Sequence, residues 1–187
     1  MNRRRLLWAA LANMVRGSMR AQTAPSYPSI STEDLTTYSI YQRLFEDAVS
    51  FQRGIDEFES KGVVGRGALH AVKFVTSLTD SEDATLIAVA KATEDAIRPN
   101  LQTVTRLVVQ FRSNAPTTVP YPPALVQQVT ELKNKSIATV FAAIQQLKTA
   151  FGPARFQNLD HYVRTTIADQ ITKTGISLTP PALPPRP

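Results

Sequence analysis

The chain contains no cysteine. That removes disulfides, zinc–thiolate sites and thiol nucleophiles together, so stability has to come from packing. Histidine occurs only at His70 and His161, and neither belongs to the Glu-x-x-His pairs that build a di-metal site inside a helical bundle. No serine stands in a Gly-x-Ser-x-Gly setting and no glycine-rich nucleotide fingerprint occurs. Gly62, Gly65 and Gly67 form a connection rather than a phosphate loop, for no Gly-Lys-Ser/Thr follows them and no strand pattern precedes them. The longest apolar run, near the N-terminus, covers about ten residues, against the roughly 20 that cross a bilayer as a helix. Sustained two-residue alternation, the mark of strands, is missing as well.

Acidic residues are absent before Glu33, whereas Arg3, Arg4, Arg5, Arg16 and Arg20 all fall there. The formal charge of +6 is therefore largely a property of the first 20 residues, and about +1 remains on the rest. Nucleic-acid binding needs a clustered basic face that releases counterions. Such a face is not expected here, and no nucleic-acid partner is assigned.

Arg3-Arg4-Arg5 followed by Leu6 through Val15 has the basic region and short apolar region of a secretory signal. Residues 1–21 are read as a leader, with cleavage after Ala21 or Ala24, and the protein is expected to be periplasmic or secreted. Two alternatives stay open. As a helix, the same segment sets Arg5, Arg16 and Arg20 opposite Leu7, Leu11 and Met14, which suits an uncleaved interfacial anchor or a transit peptide. A membrane contact is expected only through this leader, if it is retained. Residues 22–31, with Pro25 and Pro28, read as a linker.

From residue 32 to 175 the pattern is helical. Ser31 is placed to cap a first helix, with Glu33 and Asp34 favoured by its positive end. Tyr41, Leu44, Ala48, Phe51, Ile55 and Phe58 then recur at steps of three and four, an apolar seam down one helix. Phe51 is expected to be buried in this seam and to face an equivalent seam containing Ile144. A short helix over residues 68–78 carries Leu69, Val72, Val75 and Leu78. Thr79 with Glu82 three residues on is a capping box. It opens a long helix in which Pro99 predicts a kink near residues 95–98. The Pro-rich stretch 113–123 is a loop. A further helix runs from about Pro123 to Phe151, Gly152-Pro153 ends it, and a last one covers about 154–174 before Gly175. The expected fold is all-α: an antiparallel bundle of four long helices plus one short helix. Residues 176–187, ending in a run of prolines, are read as a disordered tail.

Leu78-Thr79-Asp80-Ser81-Glu82-Asp83 at a helix start, and Leu147-x3-Phe151-Gly152-x2-Arg155-Phe156-x2-Leu159-Asp160-x-Tyr162-Val163 at a helix corner, are similar to features of uncharacterised exported bacterial helical-bundle proteins. More loosely, Leu78-Thr79 before a long helix resembles the Leu-Thr-x-x-Gln element of periplasmic helical proteins of the Spy and CpxP kind, with Glu82 at the Gln position. That resemblance implies an envelope-stress or client-binding role.

Paired carboxylates occur at Asp56-Glu57 with Glu59, at Glu82-Asp83 and at Glu94-Asp95. Acid–base catalysis would need environments that split their pKa values. On amphipathic helices such pairs read instead as solvated faces or first-turn partners of the helix dipole. His161, beside Asp160 and Tyr162, reads as a surface residue, and His70 likewise. No catalytic, cofactor-binding or metal-binding residue is therefore assigned, and no cofactor. The expected function is non-enzymatic: an exported bundle binding a protein client, partner subunit or apolar ligand. A structural or accessory subunit of an envelope assembly is the alternative.

Overall fold

The computed structural model describes residues 30–62, 71–116 and 118–173. The leader, residues 22–29 of the linker, Leu69, His70, Gly175 and the Pro-rich tail lie outside the described residues. What is described is all helical, without strands, and consists of four packed helices, three of them long, with a terminal extension.

The first helix, α1, spans Thr32–Ser60. Its start is set by a reciprocal cap. The Ser31 Oγ accepts from the Asp34 amide at 3.0 Å, and Asp34 Oδ2 accepts from the Ser31 amide at 3.3 Å. Two amides that the helix leaves without partners are satisfied in this way. It ends at Gly62, whose φ of 73° is the left-handed conformation that glycine tolerates.

Helix α2, Ala71–Thr76, is six residues long, shorter than the 68–78 expected. Ser77 takes a left-handed φ of 56°, and the Leu78 amide donates back to the Lys73 carbonyl at 3.0 Å. This is a Schellman stop with serine where glycine is usual.

Helix α3, Asp80–Asn114, carries the expected capping box: Glu82 N donates to Thr79 Oγ1 at 3.2 Å, and Thr79 N to Glu82 Oε2 at 2.7 Å. Pro99 lies inside this one helix, and no residue of it leaves helical geometry. Pro99 and Asp95, whose carbonyl the proline cannot serve, are both exposed, so water can take up the missing bond.

Helix α4, Pro123–Tyr162, starts with proline at its first position, where no amide donor is needed. It breaks at Gly152 (φ 71°, ψ 171°), the residue expected to separate two helices. The second arm then runs through a π-helical turn, Val163–Ile167, into α5, Ala168–Lys173.

Helices α3 and α4 form an antiparallel hairpin. Arg155 meets Glu82 at 3.8 Å, and Asn100 Nδ2 donates to Ser136 Oγ at 3.3 Å. Beyond them Val104 and Val108 pack with Val129. Helix α1 lies against α3, α4 and the π-helical turn. The main core joins Tyr38, Tyr41, Leu44, Phe45, Ile97, Val140, Ile144, Leu147, Leu159 and Val163. A smaller apolar cluster around Val104, Val108 and Val129 sits toward the interhelical loop, without any residue of α1.

Ile144 is buried as expected, but Phe51 is not: it is 43% exposed, and Phe58 is 53% exposed. The seam on α1 is continuous in sequence, yet its cover stops. No residue of α1 beyond Ala48 is buried. Val75, expected on the apolar side of the short helix, is also exposed, because α2 is too short to turn more than one side inward.

Candidate functional site

The polar groups inside the bundle form ties between helices. The Tyr41 hydroxyl donates to Asp160 Oδ1 at 2.8 Å, and Arg164 Nε donates to Asp160 Oδ2 at 2.8 Å. One carboxylate thus links α1 to the arm beyond Gly152 and is held by a cation one turn on. Burial, and then the Asp160 contact, pushes the Tyr41 phenol well above its ordinary range. Its hydroxyl stays a donor at every ordinary pH. A neighbouring group on the same side of α1 is Asp47, bound to Arg43 at 2.9 Å. Burial raises the Asp47 carboxyl above its usual value, and the arginine offsets part of that. Tyr162 is raised too, by burial and then by the Asp47 charge.

Tyr38 makes a second buried polar group. It is 1% exposed, and burial, followed by the charges of Glu46 and Glu94, holds its phenol neutral. Gln42 Nε2 donates to Glu46 Oε1 at 3.1 Å on the same helix. A cleft of about 10 Å³ adjoins Tyr38, lined also by Asn100, Val104, Val129, Lys133 and Ser136. That is the space of about one water molecule. Ligand pockets of ordinary size run to roughly 300–1,000 Å³, so this cleft admits no substrate.

At the loop end, Arg112 is fully occupied. Its guanidinium donates to Tyr121 Oη at 2.9 Å and to the carbonyls of Pro116 and Val119 at 3.0 and 2.9 Å. It also lies over the Tyr121 ring, 4.0 Å from its centroid. The arrangement fixes the Pro-rich loop.

The carboxylate pairs are separated by the fold rather than gathered. Asp56, Glu57 and Glu59 are exposed on α1. Glu82 belongs to its cap, and those hydrogen bonds from Thr79 lower its pKa. Asp95 pairs with Arg98 at 3.2 Å. His161 is exposed. Among the described residues no three His, Asp or Glu side chains converge on one point, and no helix is long and apolar enough to cross a membrane.

What remains as a candidate site is apolar. Phe51, Ile55 and Phe58 share one side of the last three turns of α1, by the three-four spacing that places them there. Ile55 is half-buried and packs in neither apolar cluster. Among the described residues, every hydrogen bond and ion pair of residues 51–61 stays within that stretch of helix, as between Gln52 and Asp56 (2.8 Å) and between Lys61 and Glu57 (2.7 Å). On α2, Phe74 is 86% exposed. Exposed aromatic rings that share a helix face mark interaction surfaces far more often than single exposed valines such as Val109 do.

Sequence reasoning did not find the Tyr41–Asp160–Arg164 tie or the Arg112 clasp. The first joins residues 119 positions apart, for which a single sequence holds no signal. Comparison of the chain with protein-family models, with curated proteins and with solved structures finds no match.

Proposed function

We propose that this protein is a non-enzymatic helical bundle of the bacterial envelope that binds an apolar polypeptide segment, in the manner of a client-binding protein. One observation carries the reading: the apolar seam of α1 runs on through Phe51, Ile55 and Phe58 after its cover within the bundle ends at Ala48. An exposed face of helical spacing accepts another helix or an unfolded chain, because apolar contact there is non-directional and needs no matched polar group. The cleft of one-water size and the dispersed carboxylates favour binding over catalysis. Placement in the envelope rests on the leader, Arg3-Arg4-Arg5 with Leu6 to Val15.

The test is suppression of aggregation of an unrelated unfolding protein at near-stoichiometric ratios. The wild type is expected to suppress it, and Phe51→Asp with Phe58→Asp to lose the effect. Intact-mass measurement of the native protein tests the leader. A chain beginning near Gln22 or Pro25 and recovered outside the cytoplasm is the expected result, and a cytosolic chain beginning at Met1 would remove the envelope from the proposal.

A further inference from the structure

On α1, Tyr41, Leu44, Ala48, Phe51, Ile55 and Phe58 follow steps of three and four without a break. The bundle buries the first three and leaves the next three without a neighbour. This spacing is the one that seats a second helix side by side, each apolar residue entering the gap between residues of its neighbour. We propose that the last three turns of α1 pair antiparallel with the same turns of a second copy of this chain. The proposal rests on the binding face assigned above and names its occupant.

Size matching is the first argument. Setting Ile55 against Phe58 of the second copy places Phe58 against its Ile55 and Phe51 against its Gly62. Each ring then meets a smaller residue. A side chain at Gly62 would have nothing within 4 Å, so the space a ring needs is open. The flanks supply the second argument. By helical periodicity Gln52 and Glu59 border one side of the seam, Gly54 and Lys61 the other. Antiparallel pairing brings the Gln52 amide beside the Glu59 carboxylate of the second copy, and Lys61 beside Gly54, which also has open space around it. No like charges meet across the pair, and Asp56 and Glu57 fall on the outer side.

Direction is the third argument. The turns before Ala48 are enclosed by the chain's own α3 and α4. A parallel partner would bring its bundle into the same space, whereas an antiparallel one sets the two bundles at opposite ends. Three turns of helix offer less than the ~800 Å² per partner of a standard stable interface, so the pair forms and dissociates with concentration.

Sedimentation equilibrium of the full chain over about a hundredfold range of concentration tests this. The weight-average mass should climb from one chain toward two, and Phe51→Glu with Phe58→Glu should hold it at one chain. Both rings are exposed, so the far-ultraviolet circular dichroism of that variant should not change. Orientation is read by cross-linking, since the chain has no cysteine of its own. Copies carrying Ile55→Cys should form a disulfide with copies carrying Phe58→Cys, and Phe51→Cys copies should not form one with each other. A chain that stays monomeric throughout, a dimer indifferent to the double substitution, or rapid self-cross-linking of Phe51→Cys would overturn the proposal. A monomeric wild type whose aggregation suppression is still lost on double substitution would sink the second copy and leave the binding face standing.

Discussion

Tyr41 shows how single residues close this bundle. Its ring is fully buried against the main core, and its hydroxyl reaches Asp160 at 2.8 Å. A buried hydroxyl without a partner would be destabilising, and a bond to a charged acceptor contributes about 1.5–3 kcal/mol. Tyr41→Phe removes it while Arg164 still holds Asp160, so a loss of about 1–2 kcal/mol is expected in urea unfolding. Asp47 behaves in the opposite sense. Its folded pKa is raised by burial, so the folded state holds the proton more tightly than the unfolded chain. The resulting penalty is present above the raised folded value and disappears as pH falls through it to the ordinary aspartate range. Asp47→Asn should therefore unfold at a higher temperature than the wild type at neutral pH, with the difference vanishing in acid. An unchanged difference across that range would mean that the burial of Asp47 carries no weight. Phe51 and Ile144 test the division between covered and uncovered seam. Ile144→Ala should cost roughly 2–5 kcal/mol, and Phe51→Ala about 0.5 kcal/mol, the scale of a surface change.

The elements of this fold are punctuated by short local devices, and these carry their own predictions. Thr79→Ala removes one half of the capping box of α3 and should cost about 1 kcal/mol. Gly152 sits at φ 71° and ψ 171°, a region open in practice only to glycine, so Gly152→Ala should cost about 1–3 kcal/mol. Ser77 holds a left-handed φ of 56°, and Ser77→Gly should raise stability by about 0.5–1 kcal/mol by relieving its Cβ. Ser31, Thr79 with Glu82, and Gly152-Pro153 were legible in the sequence because each acts over three or four residues, and helix ends are decided at that range. The Pro99 expectation rested on a local rule as well. The helix nevertheless continues, since the orphaned carbonyl of Asp95 faces water. The seam of α1 was legible as a seam, but its cover depends on where α3 and α4 lie, and nothing between Phe51 and Phe58 encodes that. The candidate site was thus visible as a pattern and misread as core.

At the scale of the whole molecule the bundle has two ends of different character. Toward the interhelical loop, α3 and α4 close on themselves through Val104, Val108 and Val129 and the Arg112 clasp. On α1, the last three turns run on past the buried seam, apolar on one side and bordered by Glu59 and Lys61. Amide hydrogen exchange should show the contrast, with residues 37–48 protected strongly and residues 51–60 opening more readily, because few buried contacts hold them. The central claim is that these turns are the binding face of the protein, and aggregation suppression tests it most directly. Phe51→Asp with Phe58→Asp should preserve the helical circular dichroism and the unfolding midpoint, yet lose suppression of an unrelated unfolding protein. Val109→Asp, which changes a singly exposed valine on α3, should retain it. A double variant that suppresses as well as the wild type, or a wild type that does not suppress at all, would contradict the account.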